Sequence, residues 1–305
     1  MQHNYSINSF DHSDNWTILS EIEVSIKKKI EAVGVPLSEW NITINYGIKT
    51  GYNEAFIINE NTKNILISED PQSAELIRPI LRGKDIKRYS YQFAHLYLLY
   101  IPWHFPMHNN PAIKGASIEA EIEFKKQYPA VYNYLFLHKE KLSKRNKAET
   151  GIRYEWYALQ RWGSNYSDDF NKQKIIYPNM TKYLPFYLDN KGFYTNQKCY
   201  IITGEHLDFL VTFLNSKIFK FCFRDSFPTL QGGTRELSKL FFEKIPVLKI
   251  DDKTNELFAS KVKILQDLAQ KNIQDKKLED ELENILFKLY KLNDMEKDII
   301  KSFSI

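Results

Sequence analysis

The 305-residue chain has no Gly-x-Gly and no Pro-Pro, although it carries 11 glycines and 11 prolines. The first absence removes the Gly-rich turn that cradles S-adenosylmethionine. The second removes the Asn/Asp-Pro-Pro-Tyr/Phe segment that holds a flipped base. Asn179 in Tyr-Pro-Asn-Met and Asn110-Pro111 match such a segment only superficially. Cysteine is scarce as well. Cys199 and Cys222 stand in apolar surroundings without a Cys-x-x-Cys spacing, and two reduced, buried thiols of a cytoplasmic protein are expected. No apolar run approaches a membrane span, since the best candidate, Leu207 to Phe223, is broken by Asp208, Lys217 and Lys220. No basic-then-apolar leader opens the sequence. Charge of one sign is lacking too. With 42 basic against 38 acidic residues and a formal net charge of +4, the composition excludes a non-specific nucleic-acid coat.

What is present is aromatic. Phe and Tyr number 20 and 19, enough to fill a large core while leaving Tyr rings for stacking on bases or bonding to phosphates. The length suits one large or two ordinary domains. The first 17 residues are polar and unpatterned, and a loose end is expected there. Ile18, Ile22, Ile26 and Ile30 predict a helix that ends near Gly34-Val35-Pro36. Alternation at Ile42, Ile44, Tyr46 and Ile48 predicts a strand, a Lys-Thr-Gly turn follows, and Ala55 to Ile58 is expected to return beside it, with Ile65 to Ile67 as a third strand. Asp70-Pro71 predicts a capped short helix through Ile77. Further strands are expected at residues 95–101, 175–177, 185–188, 199–202 and 241–247. Helices are expected at 117–142, broken at Pro129, and at 206–221, as a pair or one bent rod. After Asp251 glycine and proline vanish and apolar residues keep helical spacing, which predicts an amphipathic helix or a helical hairpin. The outline is α+β: a mixed lobe over residues 18–250, with sheet and flanking helices, and a helical tail over 251–305.

Fragments that imitate catalytic motifs lack their context. Glu123-Phe124-Lys125, after Glu119 and Glu121, copies half of a Mg²⁺-nuclease motif, but it sits in a charged helical pattern without the preceding strand and its Pro-Asp. A solvated helix face is the expectation and a nuclease the rival. His104 and His108 have metal-pair spacing, yet Pro106 interrupts them. Gln231-Gly232-Gly233-Thr234 lacks the Gly-Lys-Ser/Thr ending of a phosphate loop. No catalytic residue and no metal site is expected within this chain.

Four segments instead offer what DNA contact needs: basic, amide and hydroxyl side chains on loops. Lys49-Thr50-Gly51-Tyr52-Asn53 is a turn whose tip projects Lys49 and Thr50, or an ordinary hairpin connection. Residues 78–88 hold Arg78, Arg82, Lys84, Lys87 and Arg88 against the single acid Asp85. Phosphate contact is expected from Lys84 and Lys87, while Asp85 is expected to shape the turn by pairing with Arg82 or Arg88. Gln160 and Arg161, between Tyr157 and Trp162, are placed either to read a base or merely to cover two buried rings. Thr229 to Arg235, with Gln231, Gly232, Gly233, Thr234 and Arg235, is the expected base-reading loop, through Gln231 and Arg235. Lys182 is a further phosphate candidate.

Five segments occur in fixed order: GIKTGYNEAF (47–56), LIRPILRGKDIKRY (76–89), KIIYPNM (174–180), LVTFLNSKIFKF (210–221) and LQGGTRELSKLFFEKIPV (230–247). Together they resemble the TaqI-like C-terminal specificity, or target-recognition, domain of restriction–modification adenine-specific DNA methyltransferases and type IIG restriction enzymes. Arg-Pro-x-Leu-Arg-Gly-x-Asp-Ile is the most specific of these signatures, here Arg78 to Ile86. The likeness extends over residues 40–300, including Leu289-Tyr290-Lys291-Leu292 near the end. It implies a fold similar to type I specificity subunits and a chain that selects duplex DNA. Methyl transfer and S-adenosylmethionine are then expected to belong to a catalytic domain outside this chain, which needs no cofactor of its own. The alternative implied is a specificity subunit that docks on a separate methyltransferase and binds DNA only in the complex. The tail is expected to pack back on the domain, to dimerise or to meet that partner.

Overall fold

A computed structural model describes residues 21–303. The expected loose end over residues 1–17 and the predicted helix start at Ile18 lie outside the described residues. At the centre lies a four-stranded antiparallel sheet in the order Tyr187–Asp189, Lys174–Pro178, Cys199–Gly204, Ile42–Tyr46. Its inner strands read as nearly continuous apolar runs because both faces are covered. Ile175, Tyr177, Tyr200 and Ile202 face one core, while Ile176, Cys199 and Ile201 face another. Period-two alternation therefore sorts side chains between two cores, instead of between core and water.

The first core is closed by helices Glu21–Val33, Leu207–Asn215 and Lys217–Phe223. The tail joins it. Helices Asp252–Gln270, Lys276–Leu289 and Asp294–Ser302 bury Phe258, Val262, Leu265, Leu282, Leu286 and Ile300 in that same core. The second core lies under another four-stranded sheet, ordered Tyr194–Thr195, Ile77–Leu81, Leu96–Leu99, Ile57–Asn59, and beneath the helices at 118–127, 129–136 and 139–143. Three two-stranded ladders complete a mixed α+β fold of several small sheets with a helical tail. Pro129 opens the second of the three helices, as the sequence predicts. Asp70 caps the 3-10 turn Pro71–Leu76 through the amide of Gln72, and residues 206–221 form a pair of helices joined at Ser216.

Three predicted strands differ. Residues 53–56 form a helical turn that buries Ala55 and Phe56, and only Ile57–Asn59 is extended. That strand pairs with Leu96–Leu99, not with Ile42–Tyr46, because Ile58 belongs to the second core and Ile44 to the first. Ile65 to Ile67 lie in helix Glu60–Glu69, started by the Asn59 side chain accepting from the Thr62 amide. Residues 239–242 make a helical turn before the strand Pro246–Leu248, so that Phe242 turns inward against the Tyr177 and Phe227 rings. Alternation alone does not reveal such a turn, since Phe242 and Ile245 reach the same core at helical spacing.

Polar groups fix the layers to one another. Arg145 donates to the carbonyls of Thr50, Trp156 and Ala158 at 2.5, 2.7 and 2.8 Å, and burial without a carboxylate pulls its guanidinium down to about 10. Glu155, buried, accepts from the amides of His104 and Ser117 and holds the His104 ring. Glu123 bonds within its own helix, to Gln127. Both thiols are unpaired and buried, and burial pushes Cys222 up to about 12. On the tail, Glu283 accepts from the amides of Lys217 and Ile218, and so caps the helix they begin.

Lys220, on that helix, is brought down to about 8 by burial and by Arg88. The folded chain then sheds this proton near pH 8, while an unfolded lysine keeps it to about 10.4. Between those values the unfolded state binds more protons, so this group adds stability as pH rises and withholds it below pH 8. Lys220→Met should raise the melting temperature at pH 7 and narrow the difference from the unsubstituted chain between pH 8 and 10. A lower melting temperature at pH 7 would contradict this.

Candidate nucleic-acid interface

Three of the five segments singled out by sequence, 47–56, 174–180 and 230–247, meet along one line of backbone hydrogen bonds that also takes in Arg161 and residues 195–199. Lys49 and Arg161 exchange both of theirs, at 3.0 and 2.9 Å. Ile48 donates to Thr195 at 2.7 Å and accepts from Gln197 at 2.9 Å, and Gly47 donates to Cys199. Asn179 takes up the line by donating to Lys198 at 2.8 Å. Met180–Thr181 then pairs with Arg235–Glu236, which the Thr229–Arg235 bridge ties to the loop. Gly47 is required at its place: a β-carbon there would lie 2.1 Å from the Asn196 carbonyl oxygen. Gly232 and Gly233 have φ of 72° and 76° with open space around them, so their conformation, not crowding, demands glycine.

Beside this line opens a cleft of about 800 Å³. Arg82, Gly83, Lys84, Lys87 and Arg88 form one wall; Pro178, Met180, Thr181, Tyr183, Asn196 and Lys198 form the other. Five basic residues line it and no carboxylate does. A helix pattern in the sequence would scatter the first wall, but the 3-10 turn Gly83–Asp85 gathers it. Asp85 is responsible: its carboxylate accepts from the Arg82 amide at 2.8 Å and from the Arg82 guanidinium at 2.9 Å twice. Of the two partners expected for Asp85, the structure selects Arg82.

The predicted contact residues divide by how occupied they are. Lys84, Lys87, Lys182 and Gln231 are exposed, and Lys87 folds back to the Lys84 carbonyl at 3.1 Å. Lys49 and Thr234 are half-buried, and Gly232 is open to solvent. Asn53 is exposed and accepts from Thr50, which is 4% exposed; Gln160 is 8% exposed and packs under Gly51. Tyr52 bonds to Glu54 and accepts from Lys141. The arginines all have acidic partners: Arg82 has Asp85, Arg88 has Glu279 on the tail, Arg161 has Glu149 and Arg235 has Asp225. The hydrogen bond from Arg161 holds the Glu149 carboxyl below its ordinary range. Lys49, Arg161 and Gln160 lie at one end of the line and Lys182 and residues 231–235 at the other.

Sequence reading missed Lys198, Met180, Tyr183 and Asn196 as members of this wall. Lys198 has no local signal at all, since it reaches the cleft by pairing with Asn179. Met180 and Tyr183 flank Lys182, and two large apolar residues next to a turn lysine were a usable sign.

Comparison with known proteins places this geometry. The family model for the TaqI-like C-terminal specificity domain matches residues 78–247. The type II methyltransferase M.MjaIV of Methanocaldococcus jannaschii is 24% identical over 210 residues, 66% of this chain and 62% of that protein. The chain thus spans under two thirds of that relative's length. Among solved structures, the type IIL restriction-modification enzyme MmeI in complex with DNA shares the fold, with TM-score 0.57 and 12% identity over 85% of this chain and 34% of that one.

Proposed function

The chain belongs to the TaqI-like C-terminal specificity domain family, and we propose that it selects the DNA sequence on which a restriction–modification enzyme acts. Methyl transfer, with its S-adenosylmethionine, falls to a catalytic domain or subunit outside these 305 residues, and the setting is the cytoplasm. One observation carries this reading: a cleft lined by five basic residues and no carboxylate, one wall of which comes from the segment most specific to the family. Lys84, Lys87 and Lys198 hold phosphates, with Lys182 and Lys49 beyond them along the same line. Gln231 and Thr234, on a loop set by two left-handed glycines, read base edges. Arg235 joins them when the DNA draws it from Asp225. Arg82, Arg88 and Arg161, each held by a carboxylate, shape the surface and add positive potential. Among the described residues no helix is long and apolar enough to cross a membrane.

The test is selection from a randomised duplex pool at two salt concentrations, followed by sequencing. An enriched motif is expected, bound more weakly at the higher salt, with Gln231→Ala losing preference at one or two positions. Absence of binding at low salt overturns autonomous reading and leaves a subunit that needs its catalytic partner.

A further inference from the structure

Two large apolar side chains stand open on the wall of the basic cleft: Tyr183 is 65% exposed and Met180 45%. They are not on a loose loop. Met180–Thr181 is laddered to Arg235–Glu236, and the Tyr183 amide donates to the Thr181 hydroxyl at 3.1 Å. Leu184, next in the chain, takes φ 49°, a left-handed conformation that a leucine avoids, and its side chain is fully buried in the first core. Burial of Leu184 on one side and the ladder on the other fix the tip between them. Lys182 lies over the Tyr183 ring at 5.9 Å, and Lys84, Lys87 and Lys198 share the cleft.

We propose that Met180 and Tyr183 form a wedge that enters a base step of duplex DNA, the Tyr183 ring stacking on the base it uncovers while the surrounding lysines hold the flanking phosphates. This rests on the DNA-reading function proposed above and adds a second way of reading sequence. A protein partner would meet four lysines around this tip against one acid, Glu236 opposite Met180, whereas a nucleic acid brings the anions that the lysines lack. A rigid aromatic ring loses little freedom on stacking, and the step entered must unstack, so pyrimidine–purine steps, which deform most easily, are favoured at that point.

The measurement is 2-aminopurine fluorescence, with the probe placed in turn at each position of the selected site and the whole 305-residue chain as ligand. The unsubstituted chain should raise fluorescence at one step. Tyr183→Ala should abolish that rise and weaken binding by about tenfold to a hundredfold, as removal of one stacking ring does. Its dependence on salt should stay the same, because every phosphate keeps its lysine. Tyr183→Phe should keep both the rise and the affinity. Because the ring is exposed, thermal melting of all three chains should coincide. If duplex binding and the fluorescence rise survive Tyr183→Ala, the wedge is wrong while the reader stands. If the unsubstituted chain binds no duplex, the wedge and autonomous reading both fall.

Discussion

Asp189→Ala should destabilise the chain by about 3–5 kcal/mol, a large share of the roughly 5–15 kcal/mol that holds an ordinary domain folded. Asp189 and Lys174 face each other across the central sheet with both side chains fully buried and Nζ 2.6 Å from Oδ2. The same carboxylate accepts from the amides of Lys191 and Phe193. Its removal leaves an ammonium with only carbonyl oxygens, of which Phe170 is nearest at 2.6 Å, and orphans two amides. Burial already lowers Lys174, and Asp189 opposes that shift. Without Asp189 the folded lysine should lose its proton at lower pH still. The unfolded state then binds more protons over a wider window, so the variant should regain stability as pH rises towards that of free lysine. Urea midpoints at pH 7 and 9 measure both effects. Lys174→Met with Asp189→Leu should recover part of the loss, because an apolar pair removes the uncompensated charge. A single-variant cost below about 1 kcal/mol would show that water or backbone carbonyls satisfy the lysine.

Lys84→Ala, Lys87→Ala and Lys198→Ala combined should weaken duplex binding roughly a hundredfold at physiological salt and reduce the salt slope by about 3, near 0.9 for each phosphate no longer neutralised. All three side chains are exposed on the cleft, and the side-chain hydrogen bond among them runs from Lys87 to the Lys84 carbonyl. Stability should therefore hardly change. Fluorescence anisotropy across a salt series gives slope and affinity together. An unchanged slope would move the phosphate track elsewhere on the molecule, towards Lys49 and Arg161 at the far end of the line.

The contrast between these two predictions follows from where the lysines sit, which the sequence does not say. Lys174 opens a run of apolar residues and reads as a strand-end charge, yet it is the most buried lysine described. Arg82, Arg88, Arg161 and Arg235 read as equals of Lys84 in the sequence. In the fold each is spoken for by an acid 3, 191, 12 or 10 residues away. Only the nearest of those partners, Asp85, is legible from local spacing.

By itself the sequence determined the helices at 118–136, 207–223 and in the tail, the strands of the central sheet, the turn chemistry at Gly51 and Gly232–Gly233, and the family, because each rests on residues close together in the chain. Periodicity records which faces are apolar, and turn residues record local dihedral demands. What only the tertiary structure decided is which strand pairs with which, and which charges stay free. Ile57–Asn59 left its neighbour for Leu96–Leu99 because the two apolar faces of the central sheet divide the chain between two cores. The tail closed the first core and supplied Glu279 to Arg88, which bears on the cleft from 191 residues away. Burial and pairing over such separations depend on distance in space, and a one-dimensional pattern carries no record of it.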